Sequence, residues 1–288
     1  MSDRLAVGLV GAGPWAGLAH APALAGGEGT RLAGVWARRP NAAQAVAAPH
    51  GAPVFGRLEE LFDACEAVAF CVPPDVQAEL ALRAVRAGKA VLLEKPLALD
   101  LEAARRLADA VAEAGVVSQM VLTARYSTAT REFLTKARSL EPLGGMGVFA
   151  GSLHEGPFAT PWRLERGALL DLGPHLVDLL DAALGPVVGV RAQGDPHGWV
   201  ALTLEHGTGA VSQASMTAFA GGTLPLPSVE VVGARGHARL DWPDTLEEPF
   251  AVMTAEFAHA VRTGTGHPLD AAHGLRLQEL LAAAEAQL

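Results

Sequence analysis

The sequence predicts an α/β protein whose N-terminal part is a doubly wound parallel sheet, and three observations carry that prediction. Short apolar runs alternate with helical patterns from residue 5 to about 121, those runs are apolar at consecutive positions, and a Gly-rich turn joins the first run to the first helical stretch. Parallel neighbours need helical crossovers, and strands covered on both faces read as continuous apolar runs. At 288 residues, half of them hydrophobic, the chain suits one large domain or two ordinary ones.

The strand candidates in order are LAVGLV (5–10), RLAGVW (31–36), AVAFCV (67–72), AVLL (90–93) and VVSQMV (116–121). Between them Ala/Leu-rich stretches such as 77–87 and 101–114 carry apolar residues at helical spacing. After residue 121 the texture changes. A polar segment with Arg125 and Tyr126 leads into a helix over 127–140, and a strand starts near Gly147. A second helix is expected to start at Gly173-Pro174 and to stop at Gly185, because proline suits a first turn and glycine a C-terminus. Strands are expected in 187–194, 198–207, 209–219 and 227–242. In WVALTLE the residues Val200, Leu202 and Leu204 share one face, which suits a sheet covered on one side. Two helices close the chain, at about 249–263 and 271–287.

Composition excludes several function classes. The net charge is −9 and no basic run exceeds two residues, which argues against nucleic acid or an anionic membrane as partner. Cys65 and Cys71 are the only cysteines, so neither a disulfide framework nor a Cys-based zinc site is expected, and no metal is assigned. No apolar segment is long enough to span a bilayer, and the opening run is wrongly bounded for a signal peptide, so a soluble, cytoplasmic protein is expected. Of 22 basic residues only Lys89, Lys95 and Lys136 are lysine. One of them, Lys95, sits between an apolar run and a proline.

Gly8-Leu9-Val10-Gly11-Ala12-Gly13-Pro14-Trp15-Ala16 holds G-x-G-x-x-A between the first strand and a helical stretch. In that context Gly11 permits the tight turn, Gly13 lets a pyrophosphate approach the backbone, and Ala16 lets the helix pack close to the strand. Pro14 and Trp15 lie at the helix start, whose amides suit phosphate. The second strand ends in Trp36-Ala37-Arg38-Arg39, with no carboxylate before Glu59. An NAD site usually places Asp or Glu there, whereas two arginines pair with a 2′-phosphate. NADP is therefore favoured over NAD as cofactor; the alternative is that Arg38 and Arg39 are a solvated loop pair.

Four segments considered together, namely the turn at 8–16, Cys71-Val72-Pro73-Pro74, AGKAVLLEKPLAL (87–99) and GALLDLGPHLVDLLDAALG (167–185), resemble the glucose–fructose oxidoreductase/inositol dehydrogenase/MocA (Gfo/Idh/MocA) family. Trp162-Arg163 and AVRTG (260–264) match positions that family favours. The resemblance implies a Rossmann domain, placed at 1–121, and an α/β domain with an open, mostly antiparallel sheet, placed at 122–288. It implies NAD(P)-dependent hydride transfer at a sugar, polyol or keto-sugar carbon. Separately, one uncovered face of the second-domain sheet favours self-association, so a homo-oligomer, dimer or tetramer, is expected. Carried over by motif, Lys95, Asp171 and His175 are the catalytic candidates and face the substrate across the nicotinamide. Gly11, Gly13, Pro14, Trp15, Ala16, Arg38, Arg39, Val72, Pro73, Pro74, Glu94 and Lys95 are cofactor candidates; Arg125, His154, Trp162 and Arg163 are substrate candidates. Three features depart from the family pattern: the chain is short, with 242–257 trimmed; Gln77 stands where a histidine is often found; and a glycine cluster is reduced to Glu165-Arg166-Gly167-Ala168.

The chemistry suits these residue types. Taking hydride from a secondary alcohol leaves a proton to remove, and histidine is the residue type whose unperturbed pKa lies nearest neutrality, which makes His175 the natural acid/base candidate. Asp171 could orient the imidazole or the substrate hydroxyl, with Asp178 as rival partner for His175. Lys95 offers a compact cation and a transferable proton, which arginine does not. Each has a plainer alternative: a capping or core histidine, a helix-start carboxylate, and for Glu94 a solvated or capping role in place of cofactor contact. Tyr126, the sole tyrosine, lacks a lysine at helical spacing. Two other functions remain open at this point: a non-catalytic nucleotide-binding sensor or regulatory protein, and a reductase of a non-sugar carbonyl or imine.

Overall fold

A computed structural model describes residues 4–153, 155–222, 224–242 and 245–288. The chain forms two compact units: Met1–Thr123 with Thr245–Arg276, and Ala124–Asp244 with Leu277–Leu288.

In the first unit β1 (Leu5–Val10), β2 (Thr30–Trp36), β3 (Ala67–Phe70), β4 (Ala90–Glu94) and β5 (Ser118–Val121) form a parallel sheet in the order β2-β1-β3-β4-β5. Every residue of β1 and β3 is buried, which is why those runs carry no polar alternation. The crossovers are a π-helical turn (Ala16–His20) continuing as α1 (Ala21–Gly26), then α2 (Pro40–Ala47), α3 (Leu58–Asp63), α4 (Pro74–Arg86) and α5 (Leu101–Ala114). The pattern of α5 is typical. Ala104, Leu107, Ala108 and Val111 make its buried face, the Asp100 side chain accepts from the Ala103 amide at 2.8 Å, and Gly115 ends it in the left-handed region.

The expected assignment of all of 122–288 to one domain is corrected. The stretch 245–276, with α8 (Glu247–Thr263), packs in the first unit. The cause lies in β5, an edge strand with backbone groups in need of partners. The Met120 amide donates to the Leu269 carbonyl at 2.6 Å, the Gln119 Nε2 donates to the Met253 carbonyl at 3.0 Å, and the Ala271 amide donates to the Ser118 Oγ at 3.0 Å. Arg262 on α8 pairs with Glu66, whose carboxyl it holds below the usual carboxylate range.

The second unit contains a six-stranded sheet of β6 (Pro142–Ala150), β7 (Val187–Gly194), β8 (Val200–His206), β9 (Val211–Thr217), β10 (Ser228–Gly233) and β11 (Gly236–Asp241). Its order is β11-β10-β6-β9-β8-β7, and only β6 and β9 pair in parallel, so the sheet is mostly antiparallel as expected. Val200, Leu202 and Leu204 are buried on one face with Ala214, Met216, Val229 and Val231. The helices α6 (Thr128–Ser139) and α7 (Pro161–Leu184) belong to the same unit, and α9 (Ala271–Glu285) closes the chain.

The expected helix start at Gly173-Pro174 is also corrected. α7 begins at Pro161 and breaks only at Gly167, whose φ of 68° and ψ of −162° are non-helical. The loop after β7 makes the break. The Pro196 carbonyl accepts from the Ala168 amide at 3.0 Å, and His197 Nε2 lies 3.0 and 3.1 Å from the carbonyls of Leu164 and Glu165. A Cβ at Gly167 would stand 2.3 Å from the Pro196 oxygen, so glycine is required twice over, by conformation and by space. Helical structure therefore resumes at Ala168, and Pro174 lies inside it.

Among the described residues no helix is long and apolar enough to cross a membrane.

Candidate functional site

In the first unit the residues expected to bind cofactor all follow the carboxyl ends of parallel strands. Gly11 to Ala16 follow β1, Arg38 and Arg39 follow β2, Val72 to Pro74 follow β3, and Glu94 with Lys95 end β4. Strand order reverses between β1 and β3, and in open α/β sheets ligands bind outside the carboxyl ends at such a point. Gly11 has φ 123° and a Cβ there would lie 2.1 Å from the Cys71 carbonyl oxygen, so this glycine is demanded by the neighbouring strand end. Gly13 is different. A Cβ there would meet nothing within 4 Å, leaving the backbone open to a ligand as large as a pyrophosphate. Ala16 is fully buried, while Arg38 and Arg39 are exposed.

The end of β4 is held from two sides. Glu94 Oε1 accepts from the Trp15 Nε1–H at 2.9 Å and from His20 Nε2 at 2.7 Å, and Glu94 Oε2 accepts the Lys95 amide at 3.2 Å. From the other side, buried Gln77 on α4 donates Nε2 to the carbonyls of Glu94 (2.7 Å), Pro96 (3.2 Å) and Leu97 (3.1 Å), while its Oε1 accepts the Glu94 amide at 2.9 Å. The Lys95–Pro96 peptide is cis. Gln77 thus makes several main-chain contacts that a histidine could not make together. Lys89 has an ordinary explanation, since its Nζ donates to the Cys65 carbonyl at 3.0 Å. Burial pushes the Cys65 thiol up, which leaves it a packing group.

His20, Cys71 and Glu94 bring one potential ligand atom each to within 4.8 Å of one another. Two of the three are already bonded to each other: Glu94 Oε1 lies 2.7 Å from His20 Nε2 and accepts from the Trp15 Nε1–H, and the buried His20 Nδ1 has no hydrogen-bond partner, whereas a metal-bound imidazole typically donates its second N–H to an acceptor.

In the second unit Asp171 and His175 lie four residues apart within the continuous part of α7, so they share a face. The expectation that Asp171 precedes the helix is corrected: it lies inside α7 and takes part in an ion pair across the kink, in which Arg163 Nε donates to Asp171 Oδ2 at 2.9 Å. Asp178, the rival partner, accepts from Arg125 Nη1 at 2.7 Å. Both carboxylates are only 1% exposed, and each meets its arginine through a short charge-assisted bond. Arg163 also stacks 4.6 Å from the centroid of the Trp162 ring. His175 is half-buried, with ring centroids of Trp242 and Phe149 at 5.4 and 6.2 Å. His154 lies outside the described residues.

The sequence model of the GFO_IDH_MocA oxidoreductase family, described as an NAD-binding Rossmann fold, matches residues 5–122, and the GFO/IDH/MocA C-terminal domain model matches 142–239. The chain belongs to the Gfo/Idh/MocA family. Inositol 2-dehydrogenase of Rhizobium meliloti (strain 1021) is 42% identical over 100 residues, a stretch that spans 34% of this chain and only 30% of that relative. The dTDP-3,4-didehydro-2,6-dideoxy-alpha-D-glucose 3-reductase of Streptomyces violaceoruber is 29% identical, with 96% of this chain and 93% of that protein covered. Among solved structures, GenD2 from gentamicin A biosynthesis in complex with NAD is 25% identical and superposes with a TM-score of 0.88, covering 100% of this chain and 95% of that one.

Within this Gfo/Idh/MocA chain, sequence reasoning overlooked His20 and the aromatic neighbours of His175. A signal for His20 existed: it lies four residues after Ala16, so helical phase turns both toward the sheet, and the structure buries both completely. Phe149 and Trp242 carried no such signal, because β6 and the residue after β11 come together only through sheet pairing.

Proposed function

We propose that this chain is a nicotinamide-dependent oxidoreductase acting on a CH–OH or carbonyl carbon of a sugar, polyol or keto-sugar. The observation that carries the reading is the Glu94-Lys95-Pro96 segment, pinned by Gln77 and tied through Glu94 to the Gly-rich turn, so that an amine-bearing residue leaves the sheet edge where a dinucleotide is expected. The open approach at Gly13 fits a dinucleotide. Gly11 to Ala16, Arg38, Arg39, Val72 to Pro74 and Glu94 would hold it, and when bound it supplies the hydride donor or acceptor. Lys95 holds a proton at Nζ for the reacting oxygen. His175 gives or takes the proton at its ring, and Asp171 sets the charge on the same helix face. Arg125, Trp162 and Arg163 shape the substrate end, and His154 is kept as a further candidate.

Absorbance of the reduced cofactor, followed with a panel of polyols, aldoses, keto-sugars and imines, tests the reading. Turnover of a hydroxyl or keto compound supports it; turnover of imines alone, or dinucleotide binding with no turnover of any compound, replaces it with an imine reductase or a nucleotide sensor.

The exposed Arg38 and Arg39 support NADP over NAD. Replacing both by alanine is expected to weaken NADPH binding by about tenfold or more, on the scale of lost charge-assisted contacts, and to leave NADH binding within a small factor. A wild-type protein that prefers NADH in a titration of both would remove this assignment.

The outer face of the six-stranded sheet exposes Met146, Val211 and Val232 beside polar residues, and supports self-association into a dimer or tetramer. Light scattering is expected to give a mass at least twice that of the 29.7 kDa chain; a monomer at micromolar concentration would contradict it.

A further inference from the structure

We infer that His20 is a positioning residue: its buried imidazole, together with the Trp15 indole, locks the Glu94 carboxylate and through it the direction in which Lys95 leaves β4. The inference rests on the reading of Lys95 as the proton-bearing group, and it concerns a residue without any direct part in that chemistry.

An indole nitrogen only donates, so Glu94 Oε1 accepts from Trp15; with Glu94 as a carboxylate, the 2.7 Å contact to His20 is a bond donated by Nε2–H, which takes the Nε2-protonated ring. His20 is fully buried and its Nδ1 has no partner, so the ring gives its one partnered nitrogen to Glu94. Phe250 closes over the two donor rings, with its centroid 5.9 Å from Trp15 and 5.3 Å from His20, both edge-on. Water has little access there, and a hydrogen bond to a charged group is stronger in such surroundings. With Oε1 held by two ring donors, Oε2 is left to accept the Lys95 amide. Gln77 fixes the Glu94 main chain from the opposite side, so the side chain and the main chain of one residue are held independently. Trp15 also belongs to the Gly-rich turn, and the bond from its indole therefore joins the dinucleotide-binding turn to the lysine-bearing strand end.

The scarcity of lysine makes a clean test possible. The protein is labelled with limiting acetic anhydride, and acetylation at Lys95 is read by mass spectrometry against Lys89 and Lys136 as internal references. In His20→Phe, which keeps a ring beside Phe250 but has no donor, the Lys95 ratio is expected to change by about threefold or more, the scale of one hydrogen bond. His20→Gln, which retains an N–H, is expected to move the ratio back toward wild type, and Trp15→Phe to shift it in the same direction as His20→Phe. Where the substrate panel yields turnover, His20→Phe lowers kcat more than it raises the KM for dinucleotide. A Lys95 ratio unchanged in both His20→Phe and Trp15→Phe would overturn the inference, as would a glutamine variant indistinguishable from phenylalanine. Should His20→Phe fail to fold, Trp15→Phe and His20→Gln decide the matter. The labelling needs no substrate, so loss of the oxidoreductase reading and loss of this inference are separate results.

Discussion

Replacing Lys95 by methionine is expected to lower turnover by about 10²-fold or more, the usual scale for removing a general acid or base, while dinucleotide affinity stays within a small factor. Methionine keeps the unbranched stem and removes the proton. The main chain from Glu94 to Leu97 is held by Gln77 and the Lys95 amide by Glu94 Oε2, and these bonds survive loss of the lysine head group. The variant should therefore fold and bind as the wild type does. Arginine at the same position is expected to fail almost as badly: it restores charge, but its guanidinium does not release a proton at working pH. Steady-state kinetics with the substrate found by the panel, alongside a fluorescence titration with dinucleotide, separates the two effects. Equal kcat in Lys95→Met and wild type would end the assignment.

What was legible in the sequence is what local pattern controls. The apolar runs of β1, β3 and β4 are buried at almost every position, so their residues show where a sheet covered on both faces must lie. Gly11 was readable because its conformation and the crowding at Cys71 leave no alternative to glycine. The misplacement of α7 has a specific cause. Gly173 and Pro174 look like a helix start, but the kink is made at Gly167 by Pro196 and His197, some thirty residues further along the chain. No window of helical length contains both partners. The same holds for 245–276, whose place in the first unit follows from the unpaired edge of β5 and from residues such as Leu269 that reach it from far along the chain. Gln77 was recognisable as a donor that does not titrate; that it would face three carbonyls of a cis-proline turn was not. Local pattern singled out the candidate side chains, and non-local hydrogen bonds, such as those from Gln77 to the end of β4, decide how they are held.

Asp171 presents the second large effect, because it is both a proposed catalytic group and half of a buried ion pair. Replacing it by alanine leaves the Arg163 guanidinium without its carboxylate, and truncating one partner of a buried pair costs about 3 kcal/mol or more. Arg163 is 23% exposed on its side chain, so solvent recovers part of that cost and the lower end of the range is expected. Urea denaturation should show it as a lower midpoint at unchanged slope. Arg163→Met should also destabilise, since Asp171 then loses its arginine, and the double variant Arg163→Met/Asp171→Leu should recover part of the loss because neither half of this ion pair is left without the other. Catalysis separates the two roles of Asp171. If the carboxylate only anchors Arg163 and the start of the helix that carries His175, the double variant regains activity along with stability. If it acts on substrate or on the imidazole, stability returns in the double variant and turnover does not. The second outcome is the one expected: four residues of unbroken helix put Asp171 and His175 on one face, and that relation is independent of Arg163 on the far side of the Gly167 kink.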